Sequence, residues 1–287
     1  MKQGIITKGI GGTYEVQTDA GMLLCTLRGK LRLRDDRVLV GDRVEVSLLP
    51  DDSGGVVENI LPRQSELVRP AIANCDQVVV VVAVENPSPN YLLIDRILVQ
   101  AELLHLSSVV VFNKGDLHPE KARELAGIYG SIPYPTVVTS VTENTGLDQL
   151  RELLKGKITT LAGPSGVGKS SLLNALDPSL NLETGTVSAK AGRGKHTTRS
   201  VELLSLGDGY VADTPGFSQL GLSSEEESEV QYAFPEFLPL LEECRFRGCL
   251  HKHEPGCRVK EALQEGKILP RRYEHYLILL EEAVPRY

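Results

Sequence analysis

One eight-residue segment constrains the fold more than any other part of the sequence. The run Gly163-Pro-Ser-Gly-Val-Gly-Lys-Ser170 matches the phosphate-loop pattern G-x-x-x-x-G-K-S. It follows an apolar, β-branched run at Ile158–Ala162 and precedes a helical pattern at Ser171–Leu176. In that context the glycines let backbone N–H groups turn towards phosphates at the positive end of the helix. The segment therefore predicts an α/β domain that binds a nucleotide.

The same segment assigns roles to individual side chains. We expect the Lys169 ammonium to reach the β- and γ-phosphates and the Ser170 hydroxyl to bind Mg²⁺. The alternative is a glycine loop with a purely structural role, and the flanking strand and helix disfavour it. The residues predicted to contact the phosphates are Gly163, Pro164, Ser165, Gly166, Val167, Gly168, Lys169, Ser170 and Ser171.

A second motif indicates which base the nucleotide carries. The apolar run Val109–Phe112 ends directly in Asn113-Lys-Gly-Asp116, an Asn-Lys-x-Asp sequence. Guanine presents a ring N–H and an exocyclic amine side by side, and the Asp116 carboxylate can accept from both, whereas adenine has no such donor pair. A site built to hydrogen-bond such donors rejects an analogue that lacks them by about 10⁴–10⁵-fold. We therefore predict a guanine nucleotide, with Asn113 bridging the loop and the base edge and the Lys114 stem covering the ring.

The next apolar run, Thr136–Ser140, adds a weaker signal. It ends in Thr139-Ser140-Val141, where GTPases carry a contact of the Ser-Ala-Lys type to the base. Asn-Lys-x-Asp by itself also occurs as a turn that needs no ligand, but here it follows a strand in a chain with a phosphate loop. The residues predicted to contact the guanine are Asn113, Lys114, Gly115, Asp116 and Ser140.

Two further segments match the switches of a GTPase. Asp213-Thr-Pro-Gly216 gives the Asp-x-x-Gly of a second switch, in which Asp213 holds a Mg²⁺-bound water and the Gly216 N–H contacts the γ-phosphate. The glycine-rich segment 192–198 lies between this motif and the phosphate loop, and Thr197 and Thr198 suit the remaining Mg²⁺ positions. The predicted magnesium site is Ser170, Thr197, Thr198 and Asp213.

The residue after the second switch predicts slow intrinsic hydrolysis. Many Ras-like proteins place a water-orienting Gln there, but this chain has Phe217, which cannot hold a water by hydrogen bonding. His196 is the best nearby candidate to position the attacking water; a solvent-facing loop histidine is the alternative. Arg193 or Lys195 are candidates to stabilise developing charge. We expect a partner that orders the switches to raise the rate.

These motifs occur in an unusual order. The base motif comes first, followed by the phosphate loop, the first switch and the second switch, whereas ordinary GTPases begin with the phosphate loop. All of these motifs can still belong to one sheet if the original N- and C-termini of the domain were close together and became joined. The sequence therefore predicts a circularly permuted GTPase domain.

The N-terminal segment, residues 1–68, has a different pattern. Short β-like runs at Thr13–Gln17, Met22–Leu27, Val38–Val40 and Arg43–Leu48 are separated by glycine-rich turns, which predicts a small OB-like barrel. Four cations alternate with other residues along one stretch, so an extended strand would place them on one face. We read them as candidate RNA-binding residues, with a solvated strand face as the alternative. They are Arg28, Lys30, Arg32 and Arg34.

The C-terminal segment carries a metal-ligand pattern. Cys244-x4-Cys249-x-His251-x5-Cys257 offers three thiolates and one imidazole, which complete a tetrahedral zinc site and indicate a structural role. His253 is a spare candidate for the imidazole. Five cysteines in total, an odd number, do not suggest a secreted disulfide framework.

Composition limits the remaining classes. No apolar run has membrane-spanning length and the N-terminus lacks a secretion signal, so we expect a cytoplasmic chain without a membrane partner. The net charge of -7 excludes little, because phosphate contacts need only a local basic face.

The combination of motifs resembles the ribosome small-subunit-dependent GTPase A family of circularly permuted GTPases. The resemblance rests on the barrel pattern, Asn-Lys-Gly-Asp ahead of the phosphate loop, His-Thr-Thr, Asp-Thr-Pro-Gly and the cysteine–histidine cluster, and it covers nearly the whole chain. It implies an OB-fold RNA-binding domain at 1–68, a permuted GTPase domain at 69–222 and a helical zinc-binding domain at 223–287. His196 takes the catalytic position on this resemblance.

The resemblance also implies a function. A protein of this kind binds the small ribosomal subunit and its ribosomal RNA late in maturation, and ribosome-stimulated hydrolysis of GTP to GDP drives its release. We expect a monomer with GTP or GDP, Mg²⁺ and one structural Zn²⁺. Two alternatives stay open: a GTP-binding, RNA-associated module with little catalysis, and a P-loop enzyme acting on a small molecule.

Overall fold

The computed structural model describes residues 1–33, 37–50, 53–68, 70–184, 201–212 and 227–283. The chain forms two compact units, and each draws on more than one stretch of sequence. The first unit comprises Met1–Gln77, Asp148–Leu161 and Ser170–Phe217; the second comprises Val78–Leu147, Ala162–Lys169 and Ser218–Tyr287.

The first unit begins with a closed five-stranded barrel. Its strands are β1 (Lys2–Ile10), β2 (Thr13–Thr18), β3 (Gly21–Leu27), β4 (Arg43–Leu48) and β5 (Gly55–Ile60). Their order is β1-β2-β3-β5-β4, and β4 pairs back with β1 to close the barrel. All neighbours are antiparallel except β3 and β5. Alternate apolar residues fill the interior, among them Ile6, Val16, Val44 and Val57, so the predicted OB-like barrel is confirmed.

The basic stretch after β3 is not the extended strand that the sequence suggested. Residues Gly29–Leu33 form the short helix α1, and the side chain of Leu31 is buried in the barrel core. Burying Leu31 requires the chain to turn, and the Leu31 N–H donates to the Arg28 carbonyl at 2.9 Å. On a helix, residues two apart do not share a face. The prediction of an extended strand with these cations on one face is therefore wrong for Arg28, Lys30 and Arg32; Arg34 lies outside the described residues.

A second strand prediction is also wrong. Val38–Val40 is not a barrel strand; within it, only Val40 forms a bridge, to Ile72. The neighbouring buried Asp42 explains the irregular backbone, because its carboxylate accepts from the Leu39 N–H at 2.8 Å and from Arg63 Nε at 2.7 Å. These polar contacts replace the ladder that a strand would make here.

The rest of the first unit has α/β character. Beyond the barrel it carries β6 (Glu66–Leu67), β7 (Ile72–Ala73), α4 (Leu147–Leu154), β11 (Ile158–Ala162), α5 (Lys169–Leu176), β12 (Leu203–Leu206) and β13 (Gly209–Ala212). Strand β13 lies between its partners, parallel to β11 and antiparallel to β12. All five residues of β11 are buried, which is typical of a strand covered on both faces.

The second unit supplies the strands and helices around the motifs. It contains β8 (Gln77–Ala83), α2 (Tyr91–Leu103), β9 (Ser107–Asn113), α3 (Pro119–Ser131) and β10 (Thr136–Val138). The strand order is β10-β9-β8, with β9 and β10 parallel. Every residue of β8 is buried. The apolar runs that the sequence assigned to buried strands thus form strands, with ends displaced by one or two residues.

The C-terminal part of the second unit is helical. It consists of a 3-10 turn at Glu227–Ala233, α6 (Leu238–Leu241), α7 (Arg258–Gln264) and α8 (Pro270–Ala283). Its core is aromatic: Phe234 stacks on Phe237 with ring centroids 5.1 Å apart, and Tyr276 packs edge-on against both. Val99 of α2 belongs to the same core.

A buried charge network also joins α8 to α2. Arg272 is 2% exposed at its side chain and lies 2.9 Å from Asp95 and 2.7 Å from Glu236. His275 contacts the other Asp95 oxygen at 2.5 Å, and Tyr129 donates to Asp95 at 3.1 Å. Burial acts to lower the pKa of Arg272, but the two carboxylates outweigh it and the pKa lies above its usual value.

No helix among the residues described is long and apolar enough to cross a membrane.

Candidate nucleotide and metal sites

The phosphate loop is shaped by two glycines that no other residue can replace without a clash. Gly163 has φ of 139°, and a Cβ at this position would lie 2.2 Å from the Val81 carbonyl oxygen. Gly168 has φ of 96°, and its Cβ would lie 2.5 Å from Nδ2 of Asn113. L-residues rarely adopt such backbone angles, so both the conformation and the space require glycine. The second clash also shows that the loop passes directly against the base motif.

Lys169 turns back over the loop. Its Nζ donates to the carbonyls of Gly163 and Pro164, each at 2.8 Å. The backbone of the loop thus surrounds the ammonium that is predicted to reach the β- and γ-phosphates. Ser170 and Ser171 follow in the first turn of α5, at the helix end that favours anions.

Asn113 links three segments at the end of β9. Its side chain is 2% exposed; Nδ2 donates to the Val167 carbonyl at 2.9 Å, and Oδ1 accepts from Oγ1 of Thr139 at 3.0 Å. The Gly115 N–H donates to the Thr139 carbonyl at 3.0 Å. A buried amide with both of its ends satisfied is a fixed structural element. It fixes the base motif to the phosphate loop and to the end of β10.

Lys114 makes a second link between the two motifs. It adopts the left-handed conformation with φ of 59°, and its Nζ donates to the Gly166 carbonyl at 2.8 Å. The same ammonium donates to the carbonyl of Asn86, in the loop after β8. Nothing in the sequence pointed to Asn86, because it takes part through its main chain.

The remaining residues of the predicted guanine site lie nearby in the chain. Asp116 is half-buried in a 3-10 turn at Gly115–Leu117. Ser140 is 1% exposed, and its Oγ accepts the Glu143 N–H at 3.1 Å, which closes a short turn with Thr145. The structure therefore brings together the base motif and the phosphate loop, which lie far apart in the sequence.

Several predicted residues lie outside the part of the chain that the structure describes. They are the catalytic candidate His196, the magnesium candidates Thr197, Thr198 and Asp213, and the γ-phosphate candidate Gly216. Arg34 of the basic stretch also lies outside it.

The cations at the start of the basic stretch make contacts within the barrel. Arg28 Nη1 lies 2.8 Å from the Glu58 carboxylate, and Lys30 Nζ donates to Oδ1 of Asn59 at 2.9 Å. Hydrogen bonds from Ser47 and from Arg28 hold the pKa of Glu58 below its usual value. Arg32 lies in α1. The RNA-binding role of these residues stays a prediction.

The C-terminal cluster has the geometry of a metal site. The ligand atoms of Cys244, Cys249, His251 and Cys257 all lie within 4.8 Å of one another. Nδ1 of His251 faces the sulfurs, at 3.3 Å from Cys257 and 3.7 Å from Cys244. His253 is exposed and is not in the cluster. Of the two candidate imidazoles, the structure therefore places His251 among the cysteines.

The other ring nitrogen of His251 is held by a residue that the sequence did not reveal. Nε2 lies 3.0 Å from Oε1 of Gln231, and the Gln231 amide in turn donates to the Ser228 carbonyl at 2.9 Å. This arrangement fits a proton on Nε2 and leaves Nδ1 free to coordinate. Metal-bound histidines commonly have such a partner, which fixes the ring and its tautomer.

The donor set fits a soft divalent cation. Burial raises the pKa of the Cys249 thiol to about 12 and that of Cys257 above its usual value, and burial lowers the pKa of His251. Without a cation, burial thus opposes charge on Cys249, Cys257 and His251. Three thiolates and a neutral imidazole at tetrahedral spacing are typical of structural zinc.

Comparison with known proteins identifies the family. The family model described as RsgA GTPase matches residues 60–223, and the model described as RsgA N-terminal domain matches residues 3–57. The chain belongs to the RsgA GTPase family.

Relatives of this family match over the full length. The chain is 46% identical over 286 residues to the small ribosomal subunit biogenesis GTPase RsgA of Moorella thermoacetica, covering 99% of this chain and 98% of the relative. It is 47% identical over 281 residues to the protein of the same name from Carboxydothermus hydrogenoformans, covering 98% and 97%.

Solved structures agree with the fold. The crystal structure of YjeQ from Thermotoga maritima aligns with a TM-score of 0.87 at 41% identity, covering 100% of this chain and 99% of that one. YloQ, described as a circularly permuted GTPase, aligns with a TM-score of 0.85 at 36% identity, covering 99% and 96%. The permuted order of motifs that the sequence predicted is therefore confirmed for this RsgA family member.

Proposed function

We propose that this chain hydrolyses GTP while bound to the small ribosomal subunit, and that hydrolysis couples late maturation of the subunit to release of the protein. One observation carries the nucleotide part of this proposal. Asn113 and Lys114 contact the carbonyls of Val167 and Gly166 directly, and this contact supports a single nucleotide held by both the base motif and the phosphate loop. The names of the RsgA relatives support the ribosomal part.

In this proposal the two ends of GTP are held by different chemistry. The Asp116 carboxylate accepts the ring N–H and the amine of guanine, while Lys114 covers the ring. Backbone N–H groups of the phosphate loop and the Lys169 ammonium hold the β- and γ-phosphates. Lys169 exchanges its contacts with the Gly163 and Pro164 carbonyls for phosphate oxygens.

The hydrolytic step uses residues of the two switches. Mg²⁺, when bound, neutralises charge on the β- and γ-phosphates, and Ser170, Thr197, Thr198 and Asp213 are the residues proposed to hold it. His196 positions the attacking water, and the Gly216 N–H contacts the γ-phosphate. Phe217 supplies no hydrogen bond to the water, so turnover is slow until the ribosomal subunit orders the switches.

The cysteine–histidine cluster is proposed to hold one structural Zn²⁺. Its four protein ligands leave no open position for catalysis. The three-domain division at 1–68, 69–222 and 223–287 belongs to the same proposal, with the barrel and the zinc-binding helices contacting ribosomal RNA. We propose that the protein works as a monomer in the cytoplasm.

The decisive experiment measures GTP turnover with and without added small ribosomal subunits. We expect stimulation by small subunits, with large subunits as the control. GTP binding with equal, negligible turnover in both conditions would favour the GTP-binding module without catalysis. Comparable turnover of ATP would favour the small-molecule enzyme and contradict the base assignment.

The base assignment has a test of its own. Asp116→Asn replaces a carboxylate that accepts two hydrogens by an amide that also donates. We expect preference to shift from guanine towards xanthine nucleotides, measured by competition binding with GTP and XTP. Unchanged GTP affinity in this variant would contradict the role of Asp116.

A further inference from the structure

The loop between the first two cysteines of the cluster presents an aromatic ring to solvent. We call residues 245–248, with the sequence Arg-Phe-Arg-Gly, the knuckle loop. Phe246 is 45% exposed, although phenylalanine is usually buried. Both neighbours of the loop, Cys244 and Cys249, are members of the cluster, so the ring projects from a segment anchored at each end.

Arg245 lies against the ring of Phe246. Its guanidinium lies 5.5 Å from the ring centroid, a cation–π distance. Its N–H donates to the Gly256 carbonyl at 3.1 Å, and its stem passes so close to Gly256 that a Cβ there would lie 3.2 Å from Cβ of Arg245. The backbone and stem of the arginine are thus held near Gly256, while Phe246 beside it stays 45% exposed.

The charges of the knuckle loop differ from those of neighbouring cations. Four cations of the C-terminal region are paired with acids: Arg258 with Glu243, Lys252 with Glu227, Lys267 with Glu265 and Arg272 with Glu236. Lys260 and Arg271 are half-buried and make no ion pair with a described residue. Arg245 and Arg247 are both exposed and make no ion pair with any residue that the structure describes. Two uncompensated positive charges thus flank one exposed ring.

We infer that the knuckle loop binds single-stranded RNA, with Phe246 stacking on an unpaired base and Arg245 and Arg247 contacting the adjacent phosphates. This inference rests on the proposed function, which makes ribosomal RNA the available ligand. An aromatic face accepts any base, and unpaired bases in loops and bulges are the parts of folded RNA that can stack on it. The cations supply the charge that a phosphate backbone requires.

Double-stranded RNA does not match the combination of an exposed ring and two arginines. Bases in an A-form helix are stacked on each other, and their faces are inaccessible to a side chain. An acidic peptide would satisfy the two arginines but leave the ring without a partner of matching shape. The juxtaposition of ring and unpaired cations therefore favours an unstacked nucleotide.

The test uses the full-length chain and a ten-nucleotide RNA that carries 2-aminopurine, whose fluorescence falls on stacking. We expect Phe246→Ala to weaken binding roughly 10-fold and to abolish the quenching, because it removes the ring on which the base stacks. Phe246→Trp should retain both binding and quenching. Arg245→Gln with Arg247→Gln should reduce the salt dependence of log K by about 0.7 for each phosphate that is no longer bound. The same RNA in a duplex should bind independently of Phe246.

Matched controls separate the loop from general surface effects. Tyr232→Ala removes an aromatic side chain that is 59% exposed elsewhere in the helical region, and Lys267→Gln removes a cation that is already paired with Glu265. Neither should change RNA binding. GTP turnover without ribosomes and metal content should be the same in all variants, which verifies folding.

The outcomes distinguish this inference from the proposed function. Small subunits that bind the wild-type chain and the Phe246→Ala variant equally, with unchanged quenching, overturn the inference and leave the proposed function intact. If Phe246→Ala no longer binds small subunits but binds the single-stranded RNA as the wild-type chain does, the inference is also overturned. That result would indicate that the knuckle loop contacts a protein. If the quenching depends on Phe246 but the chain does not bind small subunits, the RNA-binding role of the knuckle loop is supported and the proposed function is contradicted.

Discussion

The base motif and the phosphate loop up to Lys169 lie in the same compact unit as the cysteine–histidine cluster, but the two sites are built by opposite means. Around the phosphate loop the contacts come from the main chain: Asn113 and Lys114 bind carbonyls, and two glycines avoid backbone clashes. In the cluster the contacts come from side chains, with Nδ1 of His251 facing the sulfurs of Cys244 and Cys257. The first site should therefore be most sensitive to an added Cβ, and the second to removal of a ligand atom.

The largest effect is expected from Cys257→Ser. Structural zinc contributes apparent binding free energies of ~10–16 kcal/mol in small zinc-binding segments. In this chain Cys249 and Cys257 belong to the aromatic core of the helical region, so loss of the metal should also disturb that core. We expect the helical region at 227–283 to become protease-sensitive and to lose its metal, while GTP affinity stays within a few-fold of wild type. Limited proteolysis, metal analysis and nucleotide titration measure the three quantities.

Cys75→Ser is the control for this prediction. Cys75 is also buried, but its thiol lies near the carbonyls of Gln77 and Ile158, to which a hydroxyl can donate. The Cys75→Ser variant should therefore keep its metal. If GTP binding disappeared together with the metal in Cys257→Ser, the proposed boundary between the GTPase and zinc-binding domains would be wrong.

A smaller but still large effect is expected from Gly163→Ala. The new Cβ would meet the Val81 carbonyl at 2.2 Å, so the loop must move. We expect GTP affinity to fall by roughly 100-fold or more, because the N–H groups that surround the phosphates lose their common orientation. Metal content should not change, which would confirm that the two sites fail independently.

Gly127→Ala is the matched substitution. Gly127 lies in α3, and a Cβ there meets nothing within 4 Å. Alanine should raise stability by up to ~1 kcal/mol through helix propensity and leave GTP affinity unchanged. Equal GTP affinity in the Gly163 and Gly127 variants would refute the steric argument.

The smallest effect is expected from Gln231→Leu. This substitution keeps a side chain of similar size but removes the acceptor for Nε2 of His251. Loss of such a partner typically weakens metal binding about 10–100-fold. Competition with a chelator of known affinity measures the change, and Gln264→Leu, at the end of α7, serves as the control. Identical affinities would mean that Gln231 does not orient the imidazole.

Sequence reasoning succeeded where the chemistry is local. The phosphate loop and Asn-Lys-Gly-Asp are each contiguous in the sequence and recognisable by residue type, so the fold class could be predicted, and the structure brings the two motifs into contact. The nucleotide contacts assigned to their residues stay a prediction. The prediction for the basic stretch that begins at Arg28 was wrong. Its alternating cations suggested a strand, but the burial of Leu31 gives the backbone at Gly29–Leu33 a helical turn. A single apolar residue that enters the barrel core outweighs the pattern of exposed charges.

Long-range partners left no signal in the sequence. Asn86 binds Lys114 through a carbonyl, which every residue possesses. Gln231 precedes His251 by 20 residues, and Asp95 and Arg272 are 177 positions apart. Such pairs become visible only when packing brings the segments together.

The Asp95–Arg272 contact has a consequence for how the C-terminal helices open. Separating α8 from α2 would leave a guanidinium and a carboxylate without each other in a largely dry environment, and breaking one partner of a buried pair is strongly unfavourable. Partial opening of the helical region, which begins by separating α8 from α2, therefore carries a high free-energy cost. The helices around the cysteine–histidine cluster should therefore detach from α2 in one cooperative event, without a populated intermediate.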